Sequence, residues 1–281
     1  MTEPRMPLLA QAPGTAQLAP PRTWVRFSAA ERAARWLLLV VLLAAVILSI
    51  RHVEVIPEFL WDAPAQMHDL LSRMWPIDWS FYGPGVHQPL IETLHIATLG
   101  TVIAIVLAIP IGILSAGNIV RAKSLNLLAR FILVASRSVN SLIWALLFVG
   151  VFGPGALAGT VAIACRSVGF VGKLIGEALE ECDIKAVEAI RATGAPPMTV
   201  LAKAYWPQVA PTFWSVALFR WDINVRESAV LGLVGAGGIG MALDTAMNLF
   251  QWDRVSLILV AIFVIVLAAE VGVTQLRKRI L

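Results

Sequence analysis

Six nearly uninterrupted apolar stretches, at 34–50, 96–116, 127–152, 155–174, 207–234 and 255–273, alternate along this chain with shorter polar segments. Each approaches the ~20 residues a helix needs to cross a hydrocarbon core. A run that is apolar on every side leaves no polar face for water, so the pattern predicts helices surrounded by lipid and by one another. The first run is the shortest, and Arg35 and Arg51 stand where their side chains can snorkel to the two interfaces. Ahead of it, Ser28-Ala-Ala-Glu31 reads as a capping box that starts the first helix. The expected fold class is therefore all-α, a polytopic integral membrane protein of about six transmembrane helices.

The flanking segments divide the chain. Residues 1–27 are rich in Pro, Ala and Gln, with too little periodic apolar content to fold alone, and are expected to be a disordered cytoplasmic tail. Residues 28–281 form the membrane domain, with a polar loop near 177–206. Arg51 and His52 follow the first apolar run where a cleavage site would need small residues, so this segment is expected to stay as an anchor. Between 52 and 89, Trp61, Trp75, Trp79 and Tyr82 stand among Pro, Asp and Glu. That mixture suits a segment lying along an interface, where amphipathic rings settle at headgroup depth; a docking surface for an external partner is the alternative.

Composition sharpens the picture. The chain is 58% hydrophobic and 14% charged, with a mean hydropathy of +0.79, which is too apolar for a soluble domain of 281 residues. Placing the N-terminus inside leaves only Arg51, Arg73 and Arg254 on the outer side, while the basic residues at 121–130, 185–203 and 277–279 become cytoplasmic. That asymmetry predicts both termini inside. It also explains the net charge of +4 through topology, without a nucleic-acid partner. Cys165 in a span and Cys182 in the polar loop call for no disulfide.

The polar loop has a shape of its own. Residues 183–192 favour a helix, Gly194 can take the left-handed conformation that ends it, and Pro196 and Pro197 prevent its continuation. Ala186, Ala189, Ala192 and Ala195 would let another protein approach the backbone, while Glu188 and Arg191 offer charged contacts.

Charge inside the spans is the second signal, because an Arg at a helix centre costs about 2.5–3.5 kcal/mol on insertion scales and usually faces the bundle interior. Arg137, Arg166 and Arg220 lie deep in their spans, the first two in echoing Arg-Ser-Val triplets. No carboxylate occurs between Glu92 and Glu177, so Arg137 and Arg166 need a partner from another helix or from the cargo. Along the helix around Arg220, Asn224 and Glu227 share one face with it, and Asp222 and Arg226 share the opposite one. These charges either lock the bundle or line a route for an anion, with Asn140 as an added donor beside Arg137. Glu92 and His95 are expected to form an interfacial pair, too few ligands for a metal.

Gly235-Ala-Gly237-Gly238-Ile-Gly240 fits a dinucleotide fingerprint, yet only one further apolar span follows it and no parallel sheet can be built. Close helix packing or a flexible gate beside a pore remain as readings of these glycines.

Glu188, Ala189, Gly194 and Pro207 also match, at the right spacing, the cytoplasmic loop of bacterial ABC importer permeases, Glu-Ala-Ala, three residues, Gly, nine residues, Ile-x-Leu-Pro. The chain departs from that pattern at Ile190, Ala204 and Trp206. The run from Phe219 through Arg226-Glu-Ser228 to Gly240 resembles the phosphonate-type, PhnE-like permeases, whose relatives include phosphite permeases. The resemblance implies a permease subunit of an ATP-driven importer for phosphonate, or for phosphite or hypophosphite, in the bacterial inner membrane. It implies a homodimer, a separate ATPase dimer that carries ATP and Mg, and a periplasmic substrate-binding protein. It assigns Glu188, Ala189, Arg191, Gly194 and Pro207 to docking on the ATPase. Gly169-Phe-Val-Gly-Lys173, with Leu174 where a hydroxyl is needed, is not a phosphate loop, so no ATP site is expected here. A secondary transporter should show a repeated half and a membrane enzyme a convergent set of catalytic groups; the sequence offers neither.

Overall fold

The computed structural model describes residues 27–53, 57–120 and 122–280, so all but the last residue of the expected tail at 1–27 lies outside the described residues. The chain divides into two units, 1–64 and 65–281. In the first, α1 (Ala29–His52) begins as the sequence predicts. Glu31 N donates to Ser28 Oγ at 3.2 Å and Ser28 N donates to Glu31 Oε2 at 2.9 Å, closing the capping box. Helix α2 (Pro57–Arg73) crosses the boundary between the units.

The second unit is built from α3 (His87–Ser115), α4 (Lys123–Ser138), α5 (Ser141–Phe152), α6 (Ala156–Glu180), α7 (Ile184–Ala192), α8 (Pro197–Val200), α9 (Trp206–Leu231), α10 (Ile239–Asn248) and α11 (Trp252–Ile280). Five helices among the described residues are long and apolar enough to cross a membrane, and a sixth span results if α4 and α5 count as one. The expected continuous span at 127–152 is instead bent by 91°. The break has a local cause: Val139 is extended, and Asn140 caps α5 by accepting from Leu142 N at 3.1 Å. An Asn side chain that competes for backbone N–H groups favours a helix start over helix continuation.

Helices α3 and α6 form the centre. Gly100, Ala104, Ala108 and Gly112 of α3 are buried against a matching series of small residues on α6, including Gly172 and Gly176. A Cβ at Gly112 would lie 2.9 Å from the carbonyl oxygen of Gly172, so the two backbones come this close only because Gly112 carries no side chain. In lipid, where helices gain little from apolar burial, such close approach is a main source of association.

At one end of this pair, α7 packs onto the spans. Val187 is fully buried and Ile190 half-buried in a cluster with Leu179, Val200, Tyr205 and Val209. At the other end, α9 finishes in a 3-10 turn at Gly232–Val234, so the Val230–Val234 stretch that resembles a strand in sequence is helical.

Candidate functional site

An open cavity of about 380 Å3 in the body of the bundle is lined by Val134, Arg137 and Ser138 of α4, Arg166 and Phe170 of α6, and Arg220 of α9. Three guanidiniums from three helices thus converge on one space. One carboxylate answers them: Glu227 accepts from Arg166 Nη1 through Oε1 and from Arg220 Nη2 at 3.3 Å through Oε2. Arg220 is 3% exposed, and its guanidinium lies 5.5 Å from the Phe170 ring centroid.

A one-way chain of hydrogen bonds holds Arg220 in place. Its Nε donates to Ser167 Oγ at 2.8 Å, and Ser167 donates to Asn224 Oδ1 at 3.2 Å. Asn224 Nδ2 then donates to Thr101 Oγ1 at 2.7 Å, and Thr101 donates to the Ala97 carbonyl at 2.6 Å. Each member is buried, and each donor in turn is satisfied, which makes the network rigid. Arg166 also donates to Ser141 Oγ at 3.3 Å, linking the start of α5 to the cavity. The side chain of Arg137 differs, having no hydrogen bond or ion pair among the described residues.

The residues expected along a substrate route therefore separate. Arg137, Arg166 and Arg220 share the cavity, whereas Asn224 acts behind Arg220 as a fully buried support. Asn140 spends its amide oxygen capping α5. Arg226 departs from the expected route: it binds Asp222 at 2.6 Å and lies 3.7 Å from Glu270 of α11, on the opposite face of α9. Ser167, Thr101, Phe170 and Ser141 were not singled out by sequence reasoning. The available signal was the hydroxyl next to Arg166, at Ser167, in a helix otherwise apolar around it.

The loop residues form a separate surface. Asp183 caps α7 by accepting from Lys185 N at 2.9 Å, and Gly194 ends the segment at φ +75°. Glu188, Ala189, Arg191 and Gly194 are exposed, while Val187 holds the opposite face down. Pro207 falls in the first turn of α9, directly after the π-helical turn Leu201–Tyr205. Burial pushes the Cys182 thiol above its ordinary pKa; its Sγ lies 3.3 Å from the Ala178 carbonyl.

The glycine run closes the far end. Gly235, Gly237 and Gly238 have φ of +83°, +84° and +72°, conformations that side chains disfavour. A Cβ at Gly237 would lie 2.7 Å from Ala156 Cα, and one at Gly240 would strike the Ala229 carbonyl. Gly155 N donates to Gly235 O at 2.9 Å, and Thr93 Oγ1 accepts from Ile239 N at 2.8 Å. These contacts stitch the starts of α3 and α6 to the end of α9. Glu92 accepts from Gly238 N at 3.3 Å and makes no hydrogen bond to His95, so the expected interfacial pair is replaced by a contact with the loop. Among the described residues no group of His, Cys, Asp and Glu is arranged to hold a metal.

Residues 108–281 match the sequence family described as binding-protein-dependent transport system inner membrane component. The chain belongs to that family. It is 42% identical over 209 residues to the phosphite transport system permease protein PtxC of Stutzerimonas stutzeri, covering 74% of this chain and 76% of that protein. It is 35% identical over 243 residues to the phosphate-import permease protein PhnE of Mycolicibacterium smegmatis, covering 84% of this chain but 44% of that longer protein. Among solved structures, the inward-facing MetNI methionine ABC transporter superposes with a TM-score of 0.62 at 22% identity, over 70% of this chain and 96% of that one, a likeness of fold. This permease is thus a multi-pass inner-membrane transport subunit of an ABC importer rather than an enzyme, and it works with ATPase and substrate-binding partners.

Proposed function

We propose that this permease is the translocating subunit of an importer for small phosphorus oxyanions, organophosphonate first and phosphite as the second reading. The observation that carries the proposal is the cavity lined by Arg137, Arg166 and Arg220, of which Arg166 and Arg220 share one carboxylate, Glu227, and Arg137 has none among the described residues. Among membrane spans such a surplus of guanidinium charge favours an anion that completes it, and guanidinium forks match the oxygen geometry of phosphorus oxyanions. The second reading draws support from the 42% identity to a phosphite permease.

In this account the α7 loop faces the cytoplasm, as do both termini, and Glu188, Ala189, Arg191 and Gly194 dock on the ATPase, with Pro207 fixing the start of α9. ATP and Mg reside on that partner, and this chain holds no cofactor. The buried Val187 makes α7 a lever: force applied to its outer face reaches α3, α6 and α9 through one apolar cluster. Two copies of the chain face one another across the arginine cavity, and the glycine loop braces the periplasmic end against which the spans rock.

The test is uptake by the complete importer in proteoliposomes, with radiolabelled methylphosphonate and phosphite offered separately and in competition. Transport of either supports the reading, and the competition ranks the two. Transport of neither refutes it. Co-purification of two differently tagged copies checks the homodimer; a single tag recovered without the other overturns that part.

A further inference from the structure

A second cavity, of about 170 Å3, abuts the first on the side of the α7 loop. It is lined by Arg130 and Arg137 of α4, Lys173, Glu177 and Glu180 of α6, and Ser115 at the end of α3. Val134 and Arg137 line both cavities, so the two spaces meet at one guanidinium. The pairing within them is uneven. Arg130 binds Glu180 at 2.6 Å, and Lys173 binds Glu177 at 3.1 Å. Arg166 and Arg220 share Glu227, which leaves Arg137 alone without a carboxylate among the described residues.

Resting on the substrate route proposed above, we infer that this second cavity is a release station for the transported oxyanion, and that Arg137 passes the anion into it. The three cations lining the first cavity have one carboxylate, Glu227, paired to two of them, and the three lining the second have two, Glu177 and Glu180, with Arg137 counted in both. An anion moving toward the loop thus meets a falling surplus of positive charge. Glu177 and Glu180 compete with it for Lys173 and Arg130, so the station holds the anion weakly and lets it leave. A site that bound as tightly as the first would trap the product and slow each cycle. The Lys173–Glu177 contact is a partly exposed pair one helical turn apart, which contributes little to stability, so it can be altered without unfolding the chain.

The experiment uses the complete importer in proteoliposomes, with methylphosphonate or phosphite preloaded on the side of the α7 loop, and reads the product concentration that halves uptake. Glu177→Gln frees Lys173 and is expected to lower that concentration about fivefold, the scale of one exposed charge contact. Lys173→Gln is expected to raise it. Equal values in both variants and the unmodified importer, or shifts in the same direction, overturn the inference. Arg166→Met separates this failure from failure of the route: if Arg166→Met abolishes uptake while both vestibule variants keep the unmodified value, the route stands and the release station falls. If Arg166→Met transports at the unmodified rate, the route falls and the station with it.

Discussion

The carboxylate of Glu227 on α9 accepts a hydrogen bond from the guanidinium of Arg166 on α6, sixty-one residues away in the chain. This pair joins two helices, and the same carboxylate also holds Arg220. Glu227→Gln leaves two guanidiniums without their shared counter-charge. The expected loss is on the order of 3 kcal/mol, the cost of breaking a largely buried ion pair, read as a lower thermal unfolding temperature of the purified permease. Arg166→Met combined with Glu227→Gln should recover part of that loss, because the double variant removes one of the two guanidiniums left unpaired, with Arg220 remaining.

Much of this arrangement was legible in the sequence. The spacing of Arg220, Asn224 and Glu227 placed them on one helical face, and the absence of carboxylates between Glu92 and Glu177 required Arg166 to find its partner elsewhere. What the sequence left open was which helix supplies each partner. The choice between Asp222 and Glu227 depends on how α9 is rotated against α6, which the pattern along one helix does not specify. The bend between α4 and α5 was hidden for a different reason: apolar content alone cannot distinguish one span from two shorter helices, and the deciding group is the single capping amide of Asn140.

Gly237→Ala tests the brace at the far end. The new methyl group meets Ala156 Cα at 2.7 Å on a backbone with φ +84°, so strain and overpacking add. A destabilisation of about 2–4 kcal/mol is expected, measured as loss of folded protein after detergent extraction. Gly83→Ala, where nothing lies within 4 Å, serves as the control and should unfold like the unmodified chain.

Glu188→Lys reverses a charge on the exposed face of α7 without touching the buried Val187 beneath it. Membrane insertion should be unchanged, while uptake falls at least tenfold and ATP hydrolysis by the partner no longer responds to substrate. Uptake at the unmodified rate defeats the docking role.

The root of the same loop offers a chemical readout. Burial raises the Cys182 thiol pKa, so less thiolate is present at a given pH and alkylation is slow. The pH at which iodoacetamide labelling of a Cys165→Ala protein reaches half its maximal rate should lie above that of a free cysteine. Val187→Ala, by loosening the cluster into which Cys182 packs, should bring it down.

The most direct measurement of the central claim is ATP-driven uptake of methylphosphonate and phosphite by the reconstituted importer carrying Arg166→Met. The account predicts uptake by the unmodified complex only with ATP present, and its loss in the variant while the ATPase remains bound to the permease. Uptake without ATP, or an unchanged rate in the variant, would contradict it.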